Sequence, residues 1–147
     1  MNDIKRDQRT IGGPRVASSF KLAVKNPDPF SVHKDSFAGI IVFNVRGGCL
    51  FIENAELSQA QKRIFSEGPV ALLSSLDLET ADGQRCSLRK IKIKLSREKD
   101  LEDLHGIVFK FVQTSEDQME LLNVLTEKLP HIDSDNEILV PPYRKAG

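Results

Sequence analysis

From Phe37 to Ile52 the chain carries two apolar runs, Phe37-Ala38-Gly39-Ile40-Ile41-Val42-Phe43 and Cys49-Leu50-Phe51-Ile52, parted by Asn44-Val45-Arg46-Gly47-Gly48. The first run is rich in β-branched and aromatic residues and too short between its glycines for a long helix. Gly47 and Gly48 suit the φ > 0 geometry of a tight reversal. The pattern predicts a β-hairpin with Asn44 and Arg46 at its mouth. Elsewhere the apolar period is two. Phe20, Leu22 and Val24 alternate with Lys21 and predict a strand over 16–24 that Asn26-Pro27-Asp28-Pro29 ends. Leu76 and Leu78 alternate with Asp77 and Glu79 in a strand over 70–79, and Asp82-Gly83 marks a reversal into a strand over 85–95. There Ile91, Ile93 and Leu95 form one face, and Lys90, Lys92 and Lys94 the other. Ile107, Phe109 and Phe111 against Lys110 predict a strand over 106–112, and the charged stretch 96–105 reads as a loop.

Two helices are expected. Ser58 and Gln61 give a capping-box signature for a short surface helix that Gly68-Pro69 breaks. The stronger start is Ser115, with Glu116 and Asp117 in the first turn against the helix dipole and Gln118 completing the box. Met119, Leu122, Leu125 and Leu129 then fall on one face, joined by Leu121 and Val124, until Pro130 closes the helix. Residues 1–15 read as a flexible basic arm that delivers its arginines elsewhere, or else as a frayed terminus, because Ile11-Gly12-Gly13-Pro14-Arg15 forbids a regular element. Residues 16–129 are the folded domain. Residues 130–147 read as an irregular tail, with Ile138-Leu139-Val140 as a candidate docking segment.

A chain of 147 residues is long enough to bury one core without staples. Lys plus Arg equals Asp plus Glu at 21 each, so no broad electrostatic grip on nucleic acid or anionic membrane follows, and any anion site must be local. Cys49 and Cys86 lie inside expected strands without metal or redox spacing and fit buried apolar roles in a reducing compartment, a bridge between them staying open. The charged N-terminus and the lack of a long apolar run point to a cytoplasmic protein without membrane insertion.

His33, His105 and His131 each fall in an expected loop without a ligand partner at metal spacing. No phosphate loop, dinucleotide fingerprint or nucleophile elbow is present, so the reading is non-enzymatic, with no metal and no cofactor. The Phe residues sit mostly on core faces, unlike the exposed aromatic platforms of nucleic-acid readers. The lysine row 90–92–94 reads as a solvated face rather than a phosphate stripe. At the hairpin mouth, Asn44 and Arg46 beside glycine amides would present donors to an anion or a base edge; the plainer reading is a structural turn.

The order of parts resembles the PilZ domain family: a basic arm, Pro14-Arg15-Val16 leading into a strand, a strand ending in Asn44-Val45-Arg46-Gly47-Gly48, further antiparallel strands with Gly106-Ile107-Val108-Phe109, and a C-terminal amphipathic helix. The resemblance covers about residues 6–129. It implies a mainly β fold, a six-stranded antiparallel β-barrel with that helix packed across one opening, and binding of the bacterial second messenger cyclic di-GMP. In the family an Arg-x-x-x-Arg arm wraps the ligand, and an Asp/Asn-x-Ser-x-x-Gly motif on the barrel holds a guanine. Carried over, Arg15 is the second arginine and the first falls on Ile11, so that Arg6 or Arg9 would have to substitute. Asn44 matches the Asp/Asn, Arg46 stands where serine is expected, and Gly47-Gly48 arrives one residue early. The implied ligand set is Arg6, Arg9, Arg15, Asn44, Arg46, Gly47 and Gly48. The alternative reading is a degenerate adaptor that binds no nucleotide and works by protein contacts in motility or pilus machinery.

Overall fold

A computed structural model describes residues 14–24, 36–53, 64–65, 68–80 and 83–143. Seven strands form in chain order: β1 (Arg15–Val24), β2 (Ser36–Phe43), β3 (Gly47–Glu53), β4 (Val70–Glu79), β5 (Arg85–Leu101), β6 (Leu104–Val112) and β7 (His131–Ile132). The order β2-β3-β6-β5-β4-β1, with β1 also paired to β2, closes a six-stranded antiparallel barrel, and β7 adds to β1 outside the ring. The mainly β barrel expected from the resemblance is therefore present. Closing the ring gives each of its six strands a neighbour on both sides, although the 97–101 end of β5 pairs with β6 alone.

Alternation fills the ring. Val16, Phe20, Leu22, Phe37, Ile41, Phe43, Leu50, Ile52, Leu73, Leu76, Ile91, Ile93, Ile107 and Phe109 belong to one interior cluster. Phe109 and Phe111 meet edge to face at 5.1 Å. β4 and β5 switch faces at adjacent points. Leu73 and Leu76 both point inward across the register shift opposite Ala23/Val24, and Leu88 and Ile91 do the same around Lys90, whose φ is 52°. Ile64 is buried in the same interior and Phe65 packs partly against it; residues 58–63 of the helix expected from Ser58 lie outside the described residues.

The second expected helix, α1 (Glu116–Lys128), forms with the anticipated cap. Ser115 Oγ accepts from Gln118 N, and Gln118 Oε1 accepts from Ser115 N. Leu122 and Leu125 are buried against the barrel interior, with Leu121 and Leu129 partly covered, whereas Val124 faces outward. No described helix is long and apolar enough to cross a membrane.

Three expectations need correction. The stretch 96–105 is no loop: β5 runs to Leu101 and β6 begins at Leu104, so the β5–β6 hairpin projects as paired strand almost to its tip. Charge on both faces hid it, because this end reaches beyond the interior core and has little apolar face to show. The tail is not irregular. Its β7 pairs with β1 (Arg15↔Ile132, Val16↔His131), and Asp135–Leu139 forms a 3-10 helix with Ile138 fully buried. Gly47 and Gly48 are not at φ > 0; they are the first residues of β3. A Cβ at Gly47 would stand 2.3 Å from Phe109 O, and one at Gly48 2.2 Å from Val42 O, so close backbone approach is what demands glycine.

Candidate functional site

The apolar runs of β2 and β3 are continuous rather than alternating, which is the signature of strands buried on both faces. One face is the barrel interior. The other is a second cluster on the outside of the ring, where Ala17, Ile40, Val42, Cys49, Phe51 and Leu104 pack under Ile132 and Ile138, with Leu139 and Tyr143 beside them. Residues 131–143 thus form a strap across the outer face of β1, β2, β3 and β6. The strap holds its own shape. Ser134 Oγ accepts from Asn136 N at 3.2 Å, and Glu137 Oε2 accepts from Asp133 N and Ser134 N at 2.6 and 2.9 Å.

Arg15 opens β1 and carries the same outward parity as Ala17. It is therefore a strand residue and not part of a free arm, and its side chain is only about one-third exposed. Arg15 Nη1 donates to Asp135 Oδ1 at 2.6 Å, and Lys99 Nζ donates to Asp135 Oδ2 at 2.5 Å. Lys99 reaches this place because of a bulge. Leu95 pairs with Phe109 and Arg97 with Val108, so Ser96 is an extra residue that reverses the facing of β5. Before it, Ile91, Ile93 and Leu95 face the interior; after it, Lys99 turns outward over the Phe51 ring, 5.7 Å from the centroid. Burial by itself would raise the Asp135 carboxyl, but hydrogen bonds from Lys99 and Arg15, then their charges, hold it below the ordinary carboxylate range. Cys49, beneath the strap, has its thiol pushed up to about 12, chiefly by burial, and both cysteines are free.

The hairpin mouth is organised differently from the donor-rich surface its sequence suggested. Asn44 is buried. Its Oδ1 accepts from Arg46 N at 2.9 Å and Gly47 N at 3.3 Å, and its N–H donates to Gly47 O at 2.8 Å. Arg46 O in turn accepts from Phe111 N at 2.9 Å. Asn44 thus builds the turn with an Asx-type bond, and the Gly47 amide is consumed inside it. Arg46 is exposed, and Gly48 is held in the β2–β3–β6 ladder. Arg15 lies one residue beyond the Val16↔Phe43 pair, so it stands at the same end of the ring as Asn44. Of the expected ligand set, Arg15, Asn44, Arg46, Gly47 and Gly48 therefore gather at one end; Arg6 and Arg9 lie outside the described residues.

Sequence reasoning missed Lys99 and Asp135. The one available signal was the unbroken apolarity of Ile40–Phe43 and Cys49–Ile52, which requires a cover that the tail's Ile132 and Ile138 help to supply. It also misjudged His105, which is a β6 residue flanked by two carboxylates: Nδ1 is 2.9 Å from Asp100 Oδ1, and Nε2 is 2.8 Å from Glu98 Oε1. Burial alone would lower the imidazole's pKa, but hydrogen bonds and charges from Glu98 and Asp100 raise it above the ordinary value. Among the described residues no group of three or more His, Cys, Asp or Glu could hold a metal ion.

A separate concavity of ≈ 580 Å³ lies on the outer side of β1, β4 and β5, lined by Lys21, Asp77, Glu79, Arg85, Ser87 and Arg89 among others. Its charges are partly spent on each other. Arg85 pairs with Glu79 at 3.7 Å, and Ser87 Oγ donates to Asp77 Oδ1 at 2.5 Å. It is open and exposed, so the half-buried cluster at Arg15 is the better candidate for specific recognition. No protein-family model, no curated protein and no solved structure matches this chain.

Proposed function

We propose that this chain is a non-enzymatic, PilZ-like bacterial signalling domain of the cytoplasm that receives cyclic di-GMP through Arg15. The observation that carries this reading is a closed six-stranded antiparallel ring whose first strand opens on an arginine, at the ring end where the Asn44 turn joins β2 to β3. Arginine suits such a ligand because its planar fork pairs phosphate bidentately and its face stacks on a base. With the Asn44 and Gly47 groups engaged in their own turn, the burden of recognition falls on side chains: Arg15, exposed Arg46, and Arg6 and Arg9 from the preceding segment. Titration calorimetry with the full chain tests it. Binding is expected, and Arg15→Ala should weaken it by roughly one to two decades, the net contribution of one charged hydrogen-bonding contact. No heat and no thermal shift at high cyclic di-GMP concentration rejects the receptor reading.

A second reading, an adaptor of motility or pilus machinery that needs no nucleotide, is favoured by a different observation. Val70 and Leu72, 45% and 51% exposed, stand on the outer side of β4 opposite Lys94 and Lys92, three strands round the ring from Gly47. Exposed apolar residues away from the turn suit a protein contact. A partner that Leu72→Asp releases, with no cyclic di-GMP binding by the unaltered chain, decides for this reading.

A further inference from the structure

We propose that Arg15 and Lys99 form a two-cation site for a phosphate-type anion, and that the strap carrying Asp135 occupies this site as a built-in competitor which the anion displaces. The inference deepens the receptor reading and rests on it for the identity of the natural ligand, though not for the site itself.

Two cations from elements far apart in the chain converge on one carboxylate, each on a different oxygen, at 2.6 and 2.5 Å. That is how proteins hold an oxyanion between separate donors, and a phosphoryl group offers the same pair of oxygens with more charge. Lys99 is brought there by a specific device. Without the extra residue at Ser96, it would share the inward parity of Ile93 and Leu95. Beneath the two cations lies an apolar floor of Phe51, Cys49, Val42 and Ile40 that the strap covers. A floor with an aromatic ring, rimmed by two cations, fits a phosphate attached to a planar ring system.

The occupant is also a segment outside the closed ring, so it can part from the sheet without opening the barrel. The strap meets the sheet through a two-residue strand, Ile132, Ile138, partly buried Leu139 and Tyr143, and the Asp135 pair, and its turn is satisfied by its own Ser134 and Glu137 bonds. Undocking therefore leaves those bonds intact and frees both cations at once.

The test uses the full chain, with inorganic pyrophosphate and cyclic di-GMP as separate probes, titrated against the unaltered protein, Asp135→Asn, Ile138→Ala, and Asp135→Asn combined with Lys99→Gln. Circular dichroism establishes folding of each. Asp135→Asn removes the competing charge, and Ile138→Ala loosens the strap without touching the ion pairs. Asp135→Asn is expected to bind pyrophosphate roughly ten- to hundredfold more tightly than the unaltered chain, the scale of one charged hydrogen bond, and Ile138→Ala roughly 30-fold or more, by as much as it favours the undocked strap. Adding Lys99→Gln should abolish the gain, and pyrophosphate should lower amide-exchange protection over 131–143 in the unaltered chain. Equal affinities in all four proteins, or a gain indifferent to Lys99→Gln, overturn the inference. The two readings fail separately. If pyrophosphate follows the expected pattern while cyclic di-GMP binds no variant, the site stands and the receptor reading falls. If cyclic di-GMP binds the unaltered chain with no response to Asp135→Asn or Lys99→Gln, the receptor reading stands and the competing strap falls.

Discussion

Replacing Ile138 with Ala should detach the strap while leaving the barrel folded. Ile138 is 0% exposed and lies in the outer cluster with Ala17, Val42, Phe51 and Ile132, not in the barrel interior. Burying such a side chain stabilises by about 1.5–3 kcal/mol, and truncating it to Ala in a packed site costs about 2–5 kcal/mol once the cavity is included. A strap edge relaxes more easily than a closed core, so the lower part of that range applies, about 2–4 kcal/mol. Ile138 is the most deeply buried of the strap's anchors, the others being Ile132, partly buried Leu139 and Tyr143, two β7 pairs and the Asp135 ion pairs. At ~1.4 kcal/mol per decade, amide protection at His131 and Ile132 should fall roughly 30- to 1000-fold. Amides of β3 and β6 should keep theirs, because their ladder belongs to the ring. Hydrogen exchange followed residue by residue reads both, with Ile107→Ala as the contrast that lowers protection throughout the barrel. A uniform loss of protection in Ile138→Ala would show that the two clusters are one cooperative core, and no loss anywhere would show that Ile138 is not buried as described; either result refutes the reasoning.

The other expectations are quicker to check. His105 has its pKa raised by Glu98 and Asp100, so its contribution to stability is fully present below the ordinary value of 6.5 and is lost as pH rises through the higher folded value. Thermal melts across that window should show this loss, and His105→Gln should remove it; an unchanged pH profile in His105→Gln contradicts the pairing. Cys49 should resist iodoacetamide near neutral pH while half-buried Cys86 reacts, and Ile138→Ala should make Cys49 reactive, since the strap covers it. Mass spectrometry of the labelled peptides decides, and equal labelling of the two thiols in the unaltered chain would rule out the cover.

Where one face of a strand is buried and the other wet, the sequence announced it. Phe20-Lys21-Leu22, Leu76-Asp77-Leu78 and Ile91-Lys92-Ile93 lie in β1, β4 and β5 with the expected faces inward, and the Ser115–Gln118 box caps α1 as its spacing predicted. Legibility ended where that contrast ended. Arg97-Glu98-Lys99-Asp100 is polar on both faces, so its membership in β5 came from pairing with β6, a long-range contact no local period reports. The bulge at Ser96 is likewise invisible, because serine gives no sign of being an extra residue. The Arg15–Asp135 pair joins residues 120 apart and could not be read from spacing. Gly47 and Gly48 were singled out for the wrong reason, as turn formers rather than as positions where neighbouring backbone leaves no room for a Cβ. Asn44 was read as a ligand contact with a structural turn as its alternative, and its Oδ1 accepts both of its hydrogen bonds from within the turn.

The ring is made of two local meanders, β1-β2-β3 and β4-β5-β6, stitched along the seams β1–β4 and β3–β6. Within each meander the pairings close short loops; both seams join distant parts of the chain, and their closure entropy must be overcome before they stabilise anything. Until they close, β3 presents Cys49-Leu50-Phe51-Ile52 as an uncovered edge with apolar side chains on both faces, the kind of segment that pairs with other chains. The tail that covers the outer face of that surface follows all six ring strands in the chain, so it is synthesised after them. Slow seam closure therefore sets a concentration limit on refolding: dilute chains complete the ring, and crowded ones lose β3 to intermolecular pairing first.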